Sequence, residues 1–271
     1  MQIGRKRVIK LKKLDEPYYL VPLGDVHLGN EACAVRHFRE QIAWVHDHPN
    51  ACWFGMGDYA EFIGYRDSRF DPTVLAKAIP ITKLGQLGRE FSKQIAEEFR
   101  PIADKGLGLL FGNHEDAYQL HQEAQHMHAE LCDTLKMQDL GYSCFQEIEF
   151  ERRGKSASYL VRAHHGAGWA QTDGAVLNKL ISFMRHTVAD ITLVGHLHRR
   201  IHTTKVELAL RDGRLVDRVK FGAMTGTFLK TYQEGVTTYG EKKGYEPTPL
   251  GAYKIPLQPF GEQTIGDSIL T

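Results

Sequence analysis

The chain has 271 residues, 42% hydrophobic and 25% charged, enough apolar side chain to bury a full core as one large domain or a domain with an appendage. A net charge of +1 provides no global basic field that would argue for nucleic acid, and no acidic excess that would argue against it. Cys33, Cys52, Cys132 and Cys144 show neither a CxxC pair nor framework spacing, which speaks against a disulfide scaffold and a zinc knuckle. No apolar signal core opens the chain and no stretch approaches about 18 consecutive apolar residues, so a cytoplasmic protein without a membrane span is the expectation.

In chain order, Arg5, Lys6, Arg7, Lys10, Lys12 and Lys13 form the one dense basic run. Val8, Ile9, Leu11 and Leu14 interleave with it, the pattern of an edge strand with a solvated lysine face. Strands are expected over 7–14 and 17–24, with a turn through Asp15, Glu16 and Pro17. A helix over 34–47 follows, with Phe38, Ile42 and Val45 as its apolar stripe, then a short buried strand over 51–55.

Residues 59–80 interrupt this alternation with aromatics, arginines and prolines, a composition suited to an ordered loop packed over something. The periodicity next predicts a helix over 84–104, a strand over 106–111 and one histidine-rich helix over 116–137. A hairpin over 142–150 and 156–163 turns around Arg152, Arg153 and Gly154. A helix over 176–186, a strand over 191–194 and a second hairpin over 201–210 and 214–221, turning at Asp212-Gly213, complete the pattern. The tail from Gly222 is rich in glycine, threonine, tyrosine and lysine.

Five of the expected strands end in small polar clusters. They are Asp25 with His27, Gly57-Asp58, Gly112-Asn113-His114-Glu115, His164-His165, and Gly195-His196-Leu197-His198. Residues i and i+2 of a strand share a face, so Asp25 and His27, like His196 and His198, can project together. Polar groups gathered at the carboxyl ends of strands are the layout of an α/β site.

This ordered set, spanning residues 24–198, resembles the calcineurin-like metallophosphoesterase superfamily, whose signature runs DxH, GD, GNH followed by an acid, a lone or doubled His, and GHxH. The resemblance implies an α/β fold of two facing mixed β-sheets flanked by helices, a four-layer sandwich, with two divalent metal ions at one edge. It implies one metallophosphoesterase domain over 1–271, with a substrate-side insertion at 59–80 and a C-terminal extension at 222–271. Asp25, His27 and His198 would hold the first metal; Asn113, His196 and one of His164 or His165 the second; Asp58 would bridge them. Alignment of strand ends favours His164 as that ligand, with His165 beside it or touching substrate, whereas family members with a His-Gly pair favour His165.

The implied reaction is hydrolysis of a phosphate ester by a metal-bridging hydroxide, for which two metals about 3.5–4 Å apart supply the nucleophile and clamp the phosphate. Two carboxylates leave two divalent cations net positive, and the neutral amide of Asn113 preserves that charge. Imidazole and carboxylate together suit manganese, iron, cobalt, nickel or zinc, with manganese the expectation, better than magnesium. His114 is the candidate proton donor to the leaving oxygen, and Glu115 could orient it or complement the dipole of the following helix.

The other histidines, His37, His46, His48, His121, His126, His128, His186 and His202, lie off the motifs and read as surface or core residues. Asn30 shapes the turn after Asp25 and His27 or touches phosphate. Arg66 and Arg69, with Tyr65, carry the composition that grips phosphates and stacks bases, and Lys230, Tyr232, Tyr239, Lys242, Lys243 and Tyr245 could wall the site or form a dimer arm. The leading expectation is a phosphodiesterase, with a nucleotide or nucleic-acid substrate as in nucleases of this superfamily. A phosphomonoesterase, or a non-catalytic metal-binding scaffold, is the alternative.

Overall fold

The computed structural model describes residues 1–13, 17–63, 74, 87–121, 126–211 and 213–260. Among the described residues eleven strands form two mixed sheets. The smaller contains β3 (Tyr18–Leu23), β4 (Ala51–Gly55), β5 (Gly106–Leu109) and β11 (Ile255–Leu257), in the order β11-β3-β4-β5. β3, β4 and β5 run parallel and β11 antiparallel to β3.

The larger sheet has the order β1-β6-β7-β8-β10-β9, where β1 is Gln2–Ile3, β6 Ser143–Arg152, β7 Lys155–His164, β8 Ile191–Val194, β9 Arg200–Arg211 and β10 Arg214–Thr225. β2 (Arg7–Lys10) extends the β1 edge by pairing with β6, and Lys6 meets Glu147 and Glu149 of β6 at 3.4 and 2.5 Å. The basic run therefore lies along a sheet edge. β2 and β3 are consecutive strands yet enter different sheets.

Three packed layers of side chains follow from strand alternation. Leu20, Phe54, Ile148, Val161, Leu193 and Phe221 fill the space between the sheets. The other face of the smaller sheet, through Val21, Leu23 and Trp53, packs on Phe38 of α1 (Val35–Asp47), Phe91, Ile95 and Phe99 of α2 (Leu87–Phe99), and Leu131 and Leu135 of α4 (Met127–Leu135). The larger sheet meets Val176, Leu180 and Met184 of α5 (Asp173–Arg185) through Val194 and Met224. This is the helix–sheet–sheet–helix sandwich expected. Among the described residues no helix is long and apolar enough to cross a membrane.

Two helices depart from expectation. The helix expected over 84–104 gives way at Phe99 to a 3-10 turn over Arg100–Lys105, because Pro101 has no backbone N–H to continue the helical ladder. The single helix expected over 116–137 is instead α3 (Asn113–His121) and α4, and α3 begins at Asn113 itself. Residues 122–125 between them lie outside the described residues. The β6–β7 turn pairs Arg152 with Lys155 across Arg153 and Gly154, both at positive φ (46° and 75°), the two-residue geometry whose twist matches the strands.

Candidate metal centre

Parallel β3, β4 and β5 in one sheet and parallel β7, β8 and β10 in the other end at the same edge of the sandwich. The clusters that follow β3, β4 and β5 are laced together by backbone bonds that continue the sheet past its last residues. Asp25 N–H donates to Gly57 O at 2.9 Å, and the N–H groups of Val26 and His27 donate to Asp58 O at 2.8 and 3.1 Å. From the larger sheet, His196 N–H donates to the Asp25 carboxylate at 2.9 Å, while Thr227 Oγ1 and Phe228 N–H donate to Asp25 O at 2.8 and 2.9 Å. Asp25 is thus the stitch between the halves.

The side chains converge as three overlapping groups whose donor atoms lie within 4.8 Å of one another: Asp25, His27 and His198; His27, Asp58 and His114; Asp58, His165 and His196. Asp58 and His27 each belong to two groups. Between rings, His27 Nε2 lies 3.1 Å from His198 Nε2, and His198 Nε2 lies 3.5 Å from Asp25 Oδ1. On the other side, His165 Nε2 is 3.4 Å from Asp58 Oδ2 and 3.1 Å from Asn113 Oδ1.

Three features fit these groups to divalent cations. Two ring nitrogens face each other at 3.1 Å, where at most one can carry a proton, and a cation is what several lone pairs in common would hold. His27 Nδ1 is buried with no hydrogen bond, 3.4 Å from Glu61 Oε2, so a carboxylate stands behind a ring that faces the cluster, as behind metal-ligating histidines. Most telling is the backbone: Asp25, His27, Asp58, His196 and His198 all have positive φ, at 48°, 54°, 51°, 70° and 53°. A non-glycine residue there costs of order 1–3 kcal/mol and persists where the surroundings over-determine it, as they do at functional sites. Side chains able to bind metal are therefore gathered here in a strained, preorganised frame.

The glycines of the motifs are dictated by the same crowding. A Cβ on Gly112 would lie 2.1 Å from Asp58 Oδ1, one on Gly57 would lie 2.7 Å from His165 Nδ1, and one on Gly195 would lie 2.9 Å from Asp25 Oδ2.

The electrostatics divide these side chains. Burial, and then the neighbouring His114 and His198, lower the His27 pKa, which keeps the ring neutral and able to offer a lone pair. Burial alone would raise Asp58, yet the charges of His165 and His114 hold it well below the usual carboxylate range. Burial likewise opposes charge on His165, but Asp58 carries it up to about 10. Glu61 falls to about 2 against its burial, through His27 and His114.

His164 and His165 diverge. His165 has its Nε2 among Asp58 and Asn113 and its Nδ1 2.8 Å from Met56 O. His164 instead accepts the Gly166 N–H on its Nδ1 at 2.8 Å and packs its ring on Phe183 of α5 at 4.9 Å. Of the two candidates the doublet offers, His165 is the one turned toward the centre: β7 ends at His164, and the pleat sends that ring toward the helix layer and the next residue toward Asp58 and Asn113. Burial, followed by Arg162, lowers the His164 pKa to about 4.

Glu115 does not touch His114 as an orienting partner in the bonds its carboxylate makes. It accepts three backbone N–H groups, from Tyr59 at 2.7 Å, Gly112 at 2.8 Å and Asp58 at 2.9 Å. The Gly112 bond is the return half of a capping box at the start of α3, and the other two pin the β4 loop to that helix. Burial and Asp58 raise its pKa against the pull of these amides. His114 has its Nδ1 2.5 Å from Glu61 O, its N–H donating to Asp58 Oδ1 at 2.9 Å, and its ring 4.7 Å from that of His27.

Asn30 donates to Glu61 Oε2 and accepts the Ala32 N–H, both at 2.9 Å, while lining the cavity above the centre. Arg66 and Arg69, with most of the interruption at 59–80, lie outside the described residues. Two contributors escaped the sequence reading. Glu61 sits three residues past Asp58 in an otherwise ordinary loop, and Trp169, 70% exposed beside the centre, follows two glycines at positive φ after His165. A tryptophan four residues after the histidine doublet was the available signal.

The cavity, about 310 Å³, has His27, Asp58 and His114 on its floor and Trp169, Leu197, Tyr239 and Tyr245 among its walls, with Arg199, Lys230 and Lys242 supplying positive charge. Its far wall is the 229–248 segment, which includes the short helix α6 (Tyr239–Lys243). Neither a scan against protein-family models nor a search of curated proteins returns a match.

Proposed function

We propose that the protein is an enzyme, a phosphoric ester hydrolase dependent on two divalent metal ions, and that it acts on phosphodiesters of nucleotides or nucleic acid. The observation that carries this reading is the convergence of Asp25, His27, Asp58, Asn113, His165, His196 and His198 at one sheet edge, with Asp58 shared between groups. Bound there, two such ions supply a nucleophile from water at neutral pH and neutralise charge on the ester oxygens.

The chain's own residues do the rest. Asp25, His27 and His198 would hold one ion and Asn113, His165 and His196 the other, with Asp58 shared by the two groups of side chains. His114, whose Nδ1 donates to the Glu61 carbonyl, would deliver a proton to the leaving oxygen through Nε2. Glu61 and Glu115 hold the rings and loops in position from behind. Trp169, Tyr239 and Tyr245 offer faces on which a base can stack, worth about 1–3 kcal/mol per base, and Lys230 and Lys242 favour an anionic substrate, Arg199 being paired with Glu246.

Turnover of bis(p-nitrophenyl) phosphate, p-nitrophenyl phosphate and single-stranded DNA, each with manganese and after chelation, tests this. The expected result is metal-dependent turnover with the diester preferred. Monoester preference would overturn the diesterase reading, and no turnover with manganese, iron, cobalt, nickel or zinc would overturn the enzymatic one.

A further inference from the structure

A second convergence of metal-ligating side chains lies behind the loop that carries Asn113. His128 and Cys132 are one turn apart on α4, so their side chains share a face, and each is 2% exposed. Past the left-handed C-cap Lys136, the chain returns along β5 through an isolated bridge between Leu109 and Asp139. This sets Asp139 Oδ1 3.4 Å and Cys132 Sγ 3.5 Å from His128 Nε2, with all three donor atoms within 4.8 Å of one another. Leu109 O lies 3.3 Å from the same nitrogen but already accepts the Leu140 N–H at 2.9 Å.

One imidazole nitrogen carries at most one hydrogen and cannot serve three acceptors. The oxygen distances are also long for N–H···O bonds, which centre near about 2.9–3.0 Å. They match instead the edges of a tetrahedron whose corners lie about 2.0–2.3 Å from its centre, the bond lengths of zinc to nitrogen, oxygen and sulfur. Asp139, 46% exposed at its side chain, opens one side of the group to solvent, where a water can complete four-coordination.

We propose that His128, Cys132 and Asp139 form a further site for a divalent metal of the zinc class. The mixed nitrogen, sulfur and oxygen set selects a borderline-soft ion over magnesium or calcium. Among the described residues Cys33, Cys52 and Cys144 join no such cluster, and the centre at the strand ends contains no sulfur. The ion would tie α4 to the end of β5. The ring of Phe111, which leads into Gly112 and Asn113, packs on His128 at 5.5 Å, so the tie buttresses the loop that presents Asn113.

Sulfur makes the site separately visible. With cobalt(II) as the probe, the full chain should show a near-ultraviolet thiolate-to-cobalt charge-transfer band and one more equivalent of bound metal than Cys132→Ser. The Cys132→Ser and His128→Gln variants should lose the band and keep the visible cobalt absorption of the strand-end centre. Absence of the band from the unaltered chain at saturating cobalt, or its persistence in Cys132→Ser, would overturn the proposal and leave an imidazolium–carboxylate pair beside a thiol. Neither outcome depends on turnover, so failure here is distinct from failure of the hydrolase reading.

Discussion

The two halves of the candidate centre are built differently. The smaller sheet delivers both carboxylates and a histidine to almost complete burial, with Asp25 0%, Asp58 1% and His27 2% exposed, and backs them with Glu61 and Glu115. The larger sheet delivers only imidazoles, and His196 and His198 are half-buried beside the cavity wall formed by Trp169, Leu197 and Arg199. One half fixes charge where backbone amides can hold it; the other presents imidazole rings toward the cavity.

Removing the shared carboxylate breaks this comparison most severely. Asp58→Asn takes away the group common to two ligand clusters, and loss of bound metal with at least about a 10³-fold fall in kcat/KM is expected, corresponding to the several kcal/mol a metal contributes. Metal content and turnover measured on one preparation check it. His114→Ala is the counterpart in the same half. If His114 moves a proton and is no ligand, metal content stays unchanged while kcat falls about 10²–10⁴-fold. Because His114 also lies within ligand distance of His27 and Asp58, loss of metal in this variant would reassign it as a ligand.

Glu115→Gln probes the scaffold instead of the centre itself. The carboxylate accepts three N–H groups, whereas a side-chain amide presents one acceptor oxygen and its own donors. At least one buried N–H is left unmet, costing about 1–3 kcal/mol, or roughly 2–4 °C in Tm per kcal/mol for a chain near this size. Thermal melting should show that loss together with weaker metal affinity, since the Asp58 and Tyr59 amides are what the carboxylate pins. An unchanged Tm would mean that the β4 loop is held without it.

Why so much of this was legible lies in the glycines. At Gly57, Gly112 and Gly195 a Cβ would collide with His165, Asp58 and Asp25, residues distant in sequence, so each glycine beside a histidine or acid records a tertiary contact in local form. Strand ends were legible because apolar runs stop where side chains turn from the inter-sheet core to the edge. Glu61 was not, because a lone acid in a loop becomes informative only when the turn after Asp58 sets it behind His27. The end of α2 was written in Pro101, but the apolar period carries on past it and masks the stop.

His164 and His165 sharpen the comparison at its smallest effect. Nothing in a doublet states which member faces a site; that depends on whether the strand ends on an odd or even pleat. β7 ends at His164, whose ring packs on Phe183 and whose Nδ1 accepts one backbone N–H. His164→Gln should therefore retain both metals and turnover and cost about 1 kcal/mol or less, the worth of one hydrogen bond. His165→Gln should behave more like Asp58→Asn, because its Nε2 faces Asp58 and Asn113. Metal content separates the two variants directly: equal losses would mean that the strand end can shift by one pleat, and the large-sheet half would then be the adjustable one of the pair.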